Sequence, residues 1–409
     1  MCETIDFPKD GMLGSFKIKS RLGEGTYGSV FLVEHGSSVY ALKVCRLFDD
    51  GKKKRKSYSS TLLYQEYHML VNRFRWHPNL PILPDQCYGD SGDYRYLALQ
   101  LLEEGTLAKK VGDSSGLPLS TVALIALQLI DVLAHIHATG MVYMDLNLEN
   151  VLVGAGQPPA GMNSRLPSSS THKGVGGKAR LLEAGPPPPI GKFRVYLIDF
   201  GMATEFVTHT GLQIVAKGPR GTPLFSSPNY GHRGSPPLSP LDDLISLGYL
   251  LVACCAGSNA LPWSRATSEE EALAEKLLTT PEKLVEKVPA SHQAPLLGYL
   301  KAVASADAAA AASVGLNYDL FKSFFASAAP SNGALNWDSV PAVPVPVSGK
   351  RTRDGGLVDG VSQKSCKRAK KSVLEETRED DRRAVPLSSK RRQSDSPTST
   401  SLGKGKIRL

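Results

Sequence analysis

The first residues with types and spacing suited to chemistry are the glycines of one short segment, which has the pattern GxGxxGxV. Glycines allow a tight turn and let backbone N–H groups approach a phosphate without a Cβ atom in the way. Taken alone, the pattern also fits a plain glycine-rich hairpin, and it differs from a dinucleotide-binding loop because it leads into a predicted strand. The predicted nucleotide-binding residues of this segment are Leu22, Gly23, Glu24, Gly25, Thr26, Tyr27, Gly28, Ser29 and Val30.

Lys43 and Glu66 supply the next two charges along the chain. Lys43 ends the strand-like segment Tyr-Ala-Leu-Lys, and Glu66 lies in the predicted helix that follows. A strand lysine can hold the α- and β-phosphates of a nucleotide, and a helix glutamate can orient that lysine through an ion pair. We therefore predict that these two side chains are in contact.

Three further polar residues have types suited to phosphate chemistry, namely Asp145, Asn150 and Asp199. Asp145 and Asn150 are five residues apart in one polar loop, and Asp199 begins the sequence Asp-Phe-Gly. Phosphoryl transfer needs a cation on the phosphates, oxygen ligands for Mg²⁺ and a carboxylate that accepts the proton of the acceptor hydroxyl. We predict Asp145 as that base, Asn150 and Asp199 as magnesium ligands, and ATP with Mg²⁺ as the cofactors.

The elements that must position these residues form a strand-rich first part and a helical second part. Ser239, Pro240 and Asp242 give one helix start, and the apolar residues after them predict a helix buried on every side. The fold class expected is α+β. The other predicted elements are three antiparallel strands within Phe16–Val44, a helix over 61–74, strands over 84–88 and 94–102, a helix over 121–137 with Ser120 as its N-cap, and strands over 150–153 and 193–198.

Composition divides the chain further. Between residues 154 and 191, 19 of 38 residues are Gly, Pro or Ser, which predicts a disordered insertion, either a tolerated surface loop or a proline-rich docking site. The predicted organisation is an N-terminal tail over 1–13, a β-rich lobe over 14–103, a helical lobe over 104–329 that carries the 154–191 insertion, and a disordered basic tail over 330–409.

The positive charge belongs to the tail. Of the 48 Lys and Arg residues, 17 lie from Lys350 onward, against 8 of the 39 Asp and Glu residues, so the remainder of the chain is balanced. The clusters Lys367-Arg-Ala-Lys-Lys371 and Lys390-Arg-Arg392 resemble nuclear localisation signals, although a solvated charge run explains them too. We expect localisation in the nucleus, the cytoplasm or both, with a nuclear import receptor as a partner. Contact with nucleic acid is expected to be weak and non-specific, if it occurs.

Other composition features bound the class of protein. The six cysteines include no CxxC pair, which favours reduced thiols over a disulfide framework or a zinc site. The acidic N-terminus has no apolar core typical of a signal peptide. The longest apolar run, Leu247–Ala256, is far short of the roughly 20 residues that a bilayer needs. We expect no membrane association and a monomer.

With these motifs in order, the chain resembles a eukaryotic protein kinase over residues 14–329, within the casein kinase 1 and vaccinia-related kinase group. In place of Ala-Pro-Glu it has a segment similar to that group's Gly-Thr-x-x-Tyr-x-Ser-Ile-Asn. The segments that carry the resemblance are Gly221-Thr-Pro-Leu-Phe-Ser-Ser-Pro-Asn229, Asp242-Asp-Leu-Ile-Ser-Leu-Gly-Tyr249, Leu261-Pro-Trp263 and Asn317-Tyr-Asp-Leu-Phe321.

The resemblance implies a bilobal fold, serine/threonine protein kinase activity and protein substrates. It implies that Thr222 links the catalytic Asp to the substrate platform, and that Asp243 braces the catalytic loop. It also implies an adenine site in which Val30 and Ala41 cover the purine, Leu99 is the gatekeeper, and the backbone of Gln100 to Leu102 meets the base.

Three departures from the family pattern fall in one loop. Tyr143 replaces the usual histidine, and Met144 replaces an arginine, so a clamp for a phosphorylated activation loop is absent. Asn147 replaces a catalytic lysine, a loss worth on the order of 3 kcal/mol by analogy with an oxyanion donor. Two hypotheses follow, an active kinase and a nucleotide-binding pseudokinase scaffold, and Lys192 or the insertion is a speculative source of the missing charge. A small-molecule kinase is a further alternative, although the segment after Gly221 favours protein substrates.

Overall fold

A computed structural model describes residues 5–25, 28–48, 56–74, 77–112, 116–155, 193–208, 210–215, 221–230, 236–313 and 315–330. Its N-terminal region is one antiparallel sheet of six strands in the order β1-β2-β3-β4-β6-β5. The strands are β1 (Met12–Leu13), β2 (Phe16–Gly25), β3 (Gly28–His35), β4 (Ser38–Arg46), β5 (Tyr88–Ser91) and β6 (Tyr94–Gln100).

The long strands β2, β3 and β4 fall where the glycine-broken apolar runs predict them. β3 and β4 pair in register with Val30 opposite Lys43, and β4 pairs with β6 so that Ala41 lies opposite Leu99. The strand predicted over 84–88 is wrong, because β5 begins only at Tyr88. Pro84 has no N–H to donate to a ladder and Gln86 has a left-handed φ of 56°, so this stretch cannot pair as a strand.

Two helix starts also differ from the prediction. Helix α1 (Tyr58–His68) begins before residue 61, because the Ser57 hydroxyl accepts the backbone N–H of Ser60 at 3.0 Å, and it ends in a π-helical turn over Met69–Arg73. Helix α3 (Leu119–His137) is capped by Pro118, and Ser120 lies inside it. The Pro118 carbonyl already accepts the first helical N–H groups, so the predicted N-cap at Ser120 is wrong.

The C-terminal region is helical. Helix α4 (Pro240–Ala256) lies at its centre, buried along almost its whole length, and begins with a capping box in which the Asp242 carboxylate accepts the Ser239 N–H at 2.9 Å. Around it lie α2 (Leu107–Val111), α3, α5 (Glu269–Leu278), α6 (Pro281–Leu284), α7 (Ala290–Ser305), α8 (Ala308–Ser313) and α9 (Tyr318–Ala326), with 3₁₀ turns at Phe200–Met202, Ser258–Ala260 and Pro262–Arg265.

Two short hairpin-like pairs carry the polar loops of this region. They are β7 (Met141–Val142) with β10 (Thr204–Glu205), and β8 (Val151–Ala155) with β9 (Phe193–Leu197). β8 continues two residues past the predicted start of the insertion, because Gly154 and Ala155 still pair with Arg194 and Phe193. The rest of the predicted insertion, residues 156–191, lies outside the described residues, as do Lys192 and the tail from 331 onward.

Within the described ranges, one helix is long and apolar enough to cross a membrane. It is α3, and 61% of its most apolar 18-residue window is buried inside the fold. The core helix of a globular domain has the same length and composition.

Candidate active site

The charged residues predicted for the nucleotide phosphates meet at one small cavity. Gly25, Gly28, Lys43, Glu66 and Asp199 are among the residues that line this space. Lys43 Nζ lies 2.7 Å from Glu66 Oε2 and 3.1 Å from Asp199 Oδ1. The structure therefore joins β4, α1 and the Asp-Phe-Gly segment through one ammonium group.

The environment of Lys43 keeps it charged. Burial by itself disfavours the ammonium, but the carboxylates of Asp199 and Glu66 together hold the pKa of Lys43 above its usual value. Glu66 is only 1% exposed, and burial raises its pKa, while the contact of its Oε2 with Lys43 offsets part of the hydration that the carboxylate loses. The two side chains depend on each other for that compensation.

The glycine-rich segment approaches this cavity along β2 and β3. A Cβ atom on Gly28 would lie 2.1 Å from the Val44 carbonyl oxygen, so only glycine allows β3 to lie this close to β4. Val30 also lines the cavity, whereas the buried Ser29 hydroxyl accepts from Arg21. The strand residues Leu22, Gly23 and Glu24 are exposed, and the predicted tip residues Thr26 and Tyr27 lie outside the described residues.

The predicted adenine residues lie at the junction of the two regions. The Gln100 backbone N–H donates to the Ile82 carbonyl at 2.9 Å, and the side-chain Oε1 accepts from the Ile82 N–H at 3.2 Å, so the backbone N–H of Gln100 is not available to a purine. Leu102 is buried, and a Cβ on Gly154 would lie 2.6 Å from its Cδ2 atom. Ala41 is half-buried on β4, opposite Leu99 of β6.

A second group of residues surrounds Asp145. Its Oδ1 accepts the Thr222 hydroxyl at 2.7 Å and the Asn147 amide at 3.2 Å, while Oδ2 accepts the Asn150 amide at 3.1 Å. Asp145 is 6% exposed. Three neutral donors thus fix the orientation of this carboxylate, and they come from two separate parts of the chain.

The amide of Asn147 has only one orientation that satisfies its neighbours. Its Oδ1 accepts the backbone N–H groups of Glu149 at 2.9 Å and Asn150 at 3.1 Å. Its Nδ2 must then face Asp145 and the Thr222 hydroxyl, the latter at 2.9 Å. Asn147 therefore links the loop to Thr222 through hydrogen bonds and brings no charge to that link.

Asn150 and Asp199 have oxygen atoms of the kind that Mg²⁺ prefers. Asn150 turns its Nδ2 toward Asp145, with a further bond of 2.9 Å to the Asp145 carbonyl, so its Oδ1 points away from that residue. Asp199 adopts a left-handed φ of 61° and contacts Lys43 through Oδ1. An amide oxygen and a carboxylate fit a magnesium ion that also binds phosphate oxygens.

Asp243, at the start of α4, holds the loop backbone. Its carboxylate accepts the N–H of Tyr143 at 2.6 Å and of Met144 at 2.9 Å, together with His137 Nε2 at 2.9 Å and the Tyr230 hydroxyl at 2.7 Å. Burial alone would raise the pKa of Asp243, but His137 and the backbone N–H groups of Tyr143 and Met144 hold it below its usual value.

His137 and Tyr230 are site residues that sequence reasoning misses. His137 lies 106 residues before Asp243 and Tyr230 lies 13 residues before it, and neither belongs to a motif of the site. Tyr230 comes directly after the segment Gly221–Asn229, and this position is the one signal in the sequence that points to it.

Tyr143 and Met144 fill their positions with apolar contacts. The Tyr143 hydroxyl donates to the Ile198 carbonyl, and its ring meets Phe200 edge-on at 5.3 Å. Met144 is fully buried in a cluster that includes Phe206 and Tyr230, so packing occupies the place of the charged clamp implied by the family pattern.

Gly221 brings the Thr222 segment against the loop. It has a left-handed φ of 79°, and a Cβ atom there would lie 2.3 Å from the Met144 carbonyl oxygen. Met144 itself has a φ of 70°, a conformation that costs a non-glycine residue about 1 kcal/mol or more. The bonds of Asp243 to this backbone hold the strained conformation in place.

Comparison with known proteins gives a consistent result. Residues 16–308 match the protein kinase domain family, which is well over half of the chain. Casein kinase I homolog 2 of Saccharomyces cerevisiae is 26% identical over 256 residues, which cover 61% of this chain and 38% of that protein. Serine/threonine-protein kinase 36 of Mus musculus is 25% identical over 243 residues, which cover 59% of this chain and 15% of that protein.

The matched region thus spans less than half the length of either relative. The family match covers both halves of the candidate site, from the strand before the glycine-rich segment to a point beyond α7. By the extent of this match, the chain belongs to the protein kinase domain family.

Proposed function

We propose that this protein is an ATP- and Mg²⁺-dependent serine/threonine protein kinase of the casein kinase 1 type. One observation supports it most strongly. Lys43, between Glu66 and Asp199, presents an ammonium suited to phosphates, and in a second group the Thr222 hydroxyl reaches Asp145. The site thus has both a place for a nucleotide and a base for an acceptor hydroxyl.

The residues have separate tasks in the proposed reaction. Lys43 holds the α- and β-phosphates, and Asn150 and Asp199 hold Mg²⁺, which when bound neutralises phosphate charge. Asp145 accepts the proton of the substrate hydroxyl while the oxygen of that hydroxyl forms a bond to the γ-phosphorus of ATP. The bond between that phosphorus and the bridging oxygen breaks, and ADP leaves with the bonding electrons.

Asn147 and Thr222 position the base. Their mutual hydrogen bond of 2.9 Å and their shared contacts with Asp145 keep the carboxylate facing the acceptor. Because Asn147 is neutral, the charge of the transferring phosphoryl group has one cation fewer to stabilise it. We expect slower phosphoryl transfer than a lysine would give at this position.

Phosphate transfer to casein tests the activity. Purified full-length protein is incubated with γ-labelled ATP, Mg²⁺ and casein, beside an Asp145→Asn variant. We expect incorporation that is about a hundredfold or more above that of the variant. Phosphate incorporation equal to that of the Asp145→Asn variant would exclude kinase activity.

A pseudokinase scaffold is the second candidate, and Asn147 is the observation that favours it. In that case the wild-type protein binds a magnesium nucleotide, seen as a rise in melting temperature with Mg-ADP, yet incorporates no more phosphate than Asp145→Asn. A nucleotide-dependent melting shift together with phosphate incorporation supports the kinase.

We also propose that the basic tail directs the protein to the nucleus through an import receptor. The support is the clusters Lys367–Lys371 and Lys390–Arg392, which lie outside the described residues. A reporter fused to residues 345–409 should accumulate in nuclei, and alanine substitution of both clusters should abolish this. If the fusion protein stays in the cytoplasm, the proposal is wrong.

A further inference from the structure

A buried lysine lies against the segment that carries Thr222. Lys276, in the last turn of α5, is only 7% exposed. Its Nζ donates to the Pro223 carbonyl at 2.5 Å, the Ser226 carbonyl at 2.8 Å and the Ser226 hydroxyl at 3.3 Å. A lysine ammonium has three N–H donors, so this short stretch of chain supplies an acceptor for each of them.

Two aromatic rings complete the environment of this ammonium. Nζ lies 5.7 Å from the ring centroid of Tyr249 and 5.4 Å from that of Trp263, distances suited to cation–π attraction. The Trp263 indole N–H also donates to the Leu224 carbonyl at 2.7 Å. Side chains from α5 and the neighbouring 3₁₀ turn therefore hold three carbonyl groups of the segment.

The same segment is attached to the catalytic loop at its other side. The Thr222 carbonyl accepts the N–H groups of Phe225 and Ser226, each at 2.9 Å, so residues 222–226 form one tight turn. The Thr222 side chain contacts Asp145, and the carbonyls of the turn contact Lys276. A shift of the turn away from Lys276 would therefore also move Thr222.

We propose that Lys276 is a positioning residue for the protein substrate: its three hydrogen bonds keep residues 222–226 in the shape that presents the acceptor hydroxyl to Asp145. This rests on the proposed kinase function. Lys276 does not contact the nucleotide site lined by Lys43 and Glu66, so its effect should be confined to the protein substrate.

The proton on Lys276 provides a separate readout. Burial lowers the pKa of Lys276 to about 7, and the carboxylate of Glu269, in the first turn of the same helix, opposes that shift. Tyr249, from α4, is the titratable group on the other side, and burial raises its pKa, so it stays neutral. Above pH 7 the amine keeps two N–H donors for three acceptors, and the hold on the turn weakens.

The test compares Lys276→Met, Lys276→Arg and Lys283→Met. Lys283→Met is the matched control, because it makes the same change at an exposed lysine of the adjacent helix α6. We expect Lys276→Met to lower kcat/KM for casein about tenfold or more, with the Kd for Mg-ADP within about twofold of wild type. Lys283→Met should stay within about twofold of wild type in both.

Arginine stays charged across the accessible pH range and still donates hydrogen bonds. Lys276→Arg should therefore recover most of the kcat/KM that Lys276→Met loses. The wild-type kcat/KM should decline as pH rises through about 7, and this decline should be absent in Lys276→Arg. Equal kcat/KM in Lys276→Met and wild type, or the same decline near pH 7 in Lys276→Arg, overturns the proposal.

Amide hydrogen exchange separates this proposal from the kinase function itself. In Lys276→Met, the amide hydrogens of Thr222 and of residues 224–226 should exchange faster, while those of α4 keep their wild-type rates. This comparison needs no phosphate transfer, so an inactive wild-type protein would contradict the kinase function and leave this measurement valid. Unchanged exchange over 222–226 would overturn the positioning role.

Discussion

The two sides of the candidate site are held together by different forces. On the nucleotide side, an ammonium lies between two carboxylates, with Lys43 bonded to Glu66 and Asp199. On the substrate side, the groups that surround Asp145 are amides and a hydroxyl, mainly those of Asn147 and Thr222. Asp145 is thus oriented by hydrogen bonds from neutral groups.

The difference shows that positioning and charge can be separated in such a site. Removing one partner of a buried ion pair costs roughly 3–5 kcal/mol, because the other charge is left without compensation. A neutral hydrogen bond contributes only about 0.5–1.5 kcal/mol. Substitutions on the nucleotide side should therefore have larger effects than substitutions among the neutral donors on the substrate side.

The largest effect is expected for Lys43→Met. We expect phosphate transfer to fall about a hundredfold or more, and the Kd for Mg-ADP to rise at least about tenfold, because the phosphates lose their cation. Asn147→Ala should leave that Kd within about twofold. Titration calorimetry with Mg-ADP measures the Kd of both variants.

Lys17→Met provides the control for this comparison, since Lys17 is a half-exposed lysine on strand β2 of the same sheet. It should bind Mg-ADP as the wild type does. Equal losses of nucleotide affinity in Lys43→Met and Asn147→Ala would contradict the division of the site into a charged and a neutral side.

A substitution at Met144 tests whether apolar packing stabilises the loop on the substrate side. Met144→Ala removes a fully buried side chain from the cluster with Phe206 and Tyr230, and should lower the free energy of unfolding by about 2–5 kcal/mol. Urea unfolding measures this, with the 61%-exposed Met12→Ala as the control. A loss no larger than that of the control would show that apolar packing does not hold this loop.

The sequence predicts the charged side of the site well, for a physical reason. The Lys43–Glu66 contact follows from a strand lysine and a helix glutamate that are close in the chain and joined by one connection. The start of α4 follows from local capping chemistry at Ser239 and Asp242. Both features depend on short-range patterns that residue types express directly.

Several contacts on the substrate side could not be predicted in the same way. The contacts of His137 and Tyr230 with Asp243, and of Lys276 with Pro223, join parts of the chain that meet only through the packing of α3, α4 and α5. The start of α1 at Ser57 was missed because a buried polar turn, not apolar periodicity, sets it. Such contacts depend on the tertiary fold more than on local sequence.

Asp242, beside the bracing Asp243, offers a test by pH. Burial raises the pKa of Asp242 to about 6, despite its bonds from Ser239 and Ser227. Between pH 4 and 6 the folded chain therefore binds more protons at this group than the unfolded chain, and its contribution to stability falls as pH rises.

The size of that contribution follows from the shift of the pKa. Relative to Asp242→Asn, the wild type should lose about 2 kcal/mol of unfolding free energy between pH 4 and pH 7. Unfolding by urea at several pH values measures it, with the exposed Asp85→Asn as the control. A constant difference between wild type and Asp242→Asn would mean that the buried carboxylate does not titrate in this range.

The smallest change in function is expected for Asn147→Lys, which introduces a positive charge among the neutral groups around Asp145. In Asn147→Lys, an ammonium can take the place of Nδ2 between Asp145 and Thr222 and add a cation for the transferring phosphoryl group. The variant also loses Oδ1, which accepts the N–H groups of Glu149 and Asn150, at a cost of about 1–2 kcal/mol in stability. The melting temperature should therefore fall while phosphate transfer rises severalfold.

Asn147→Gln separates the charge from the length of the side chain, because it lengthens the side chain but keeps a neutral amide. If transfer rises in Asn147→Lys and not in Asn147→Gln, the wild-type protein is an enzyme slowed by the lack of one cation. If neither variant exceeds Asp145→Asn, the neutral hydrogen bonds around Asp145 keep the geometry of a kinase in a protein that does not transfer phosphate. The same set of contacts would then serve binding alone, and the charged side would be the functional part of the site.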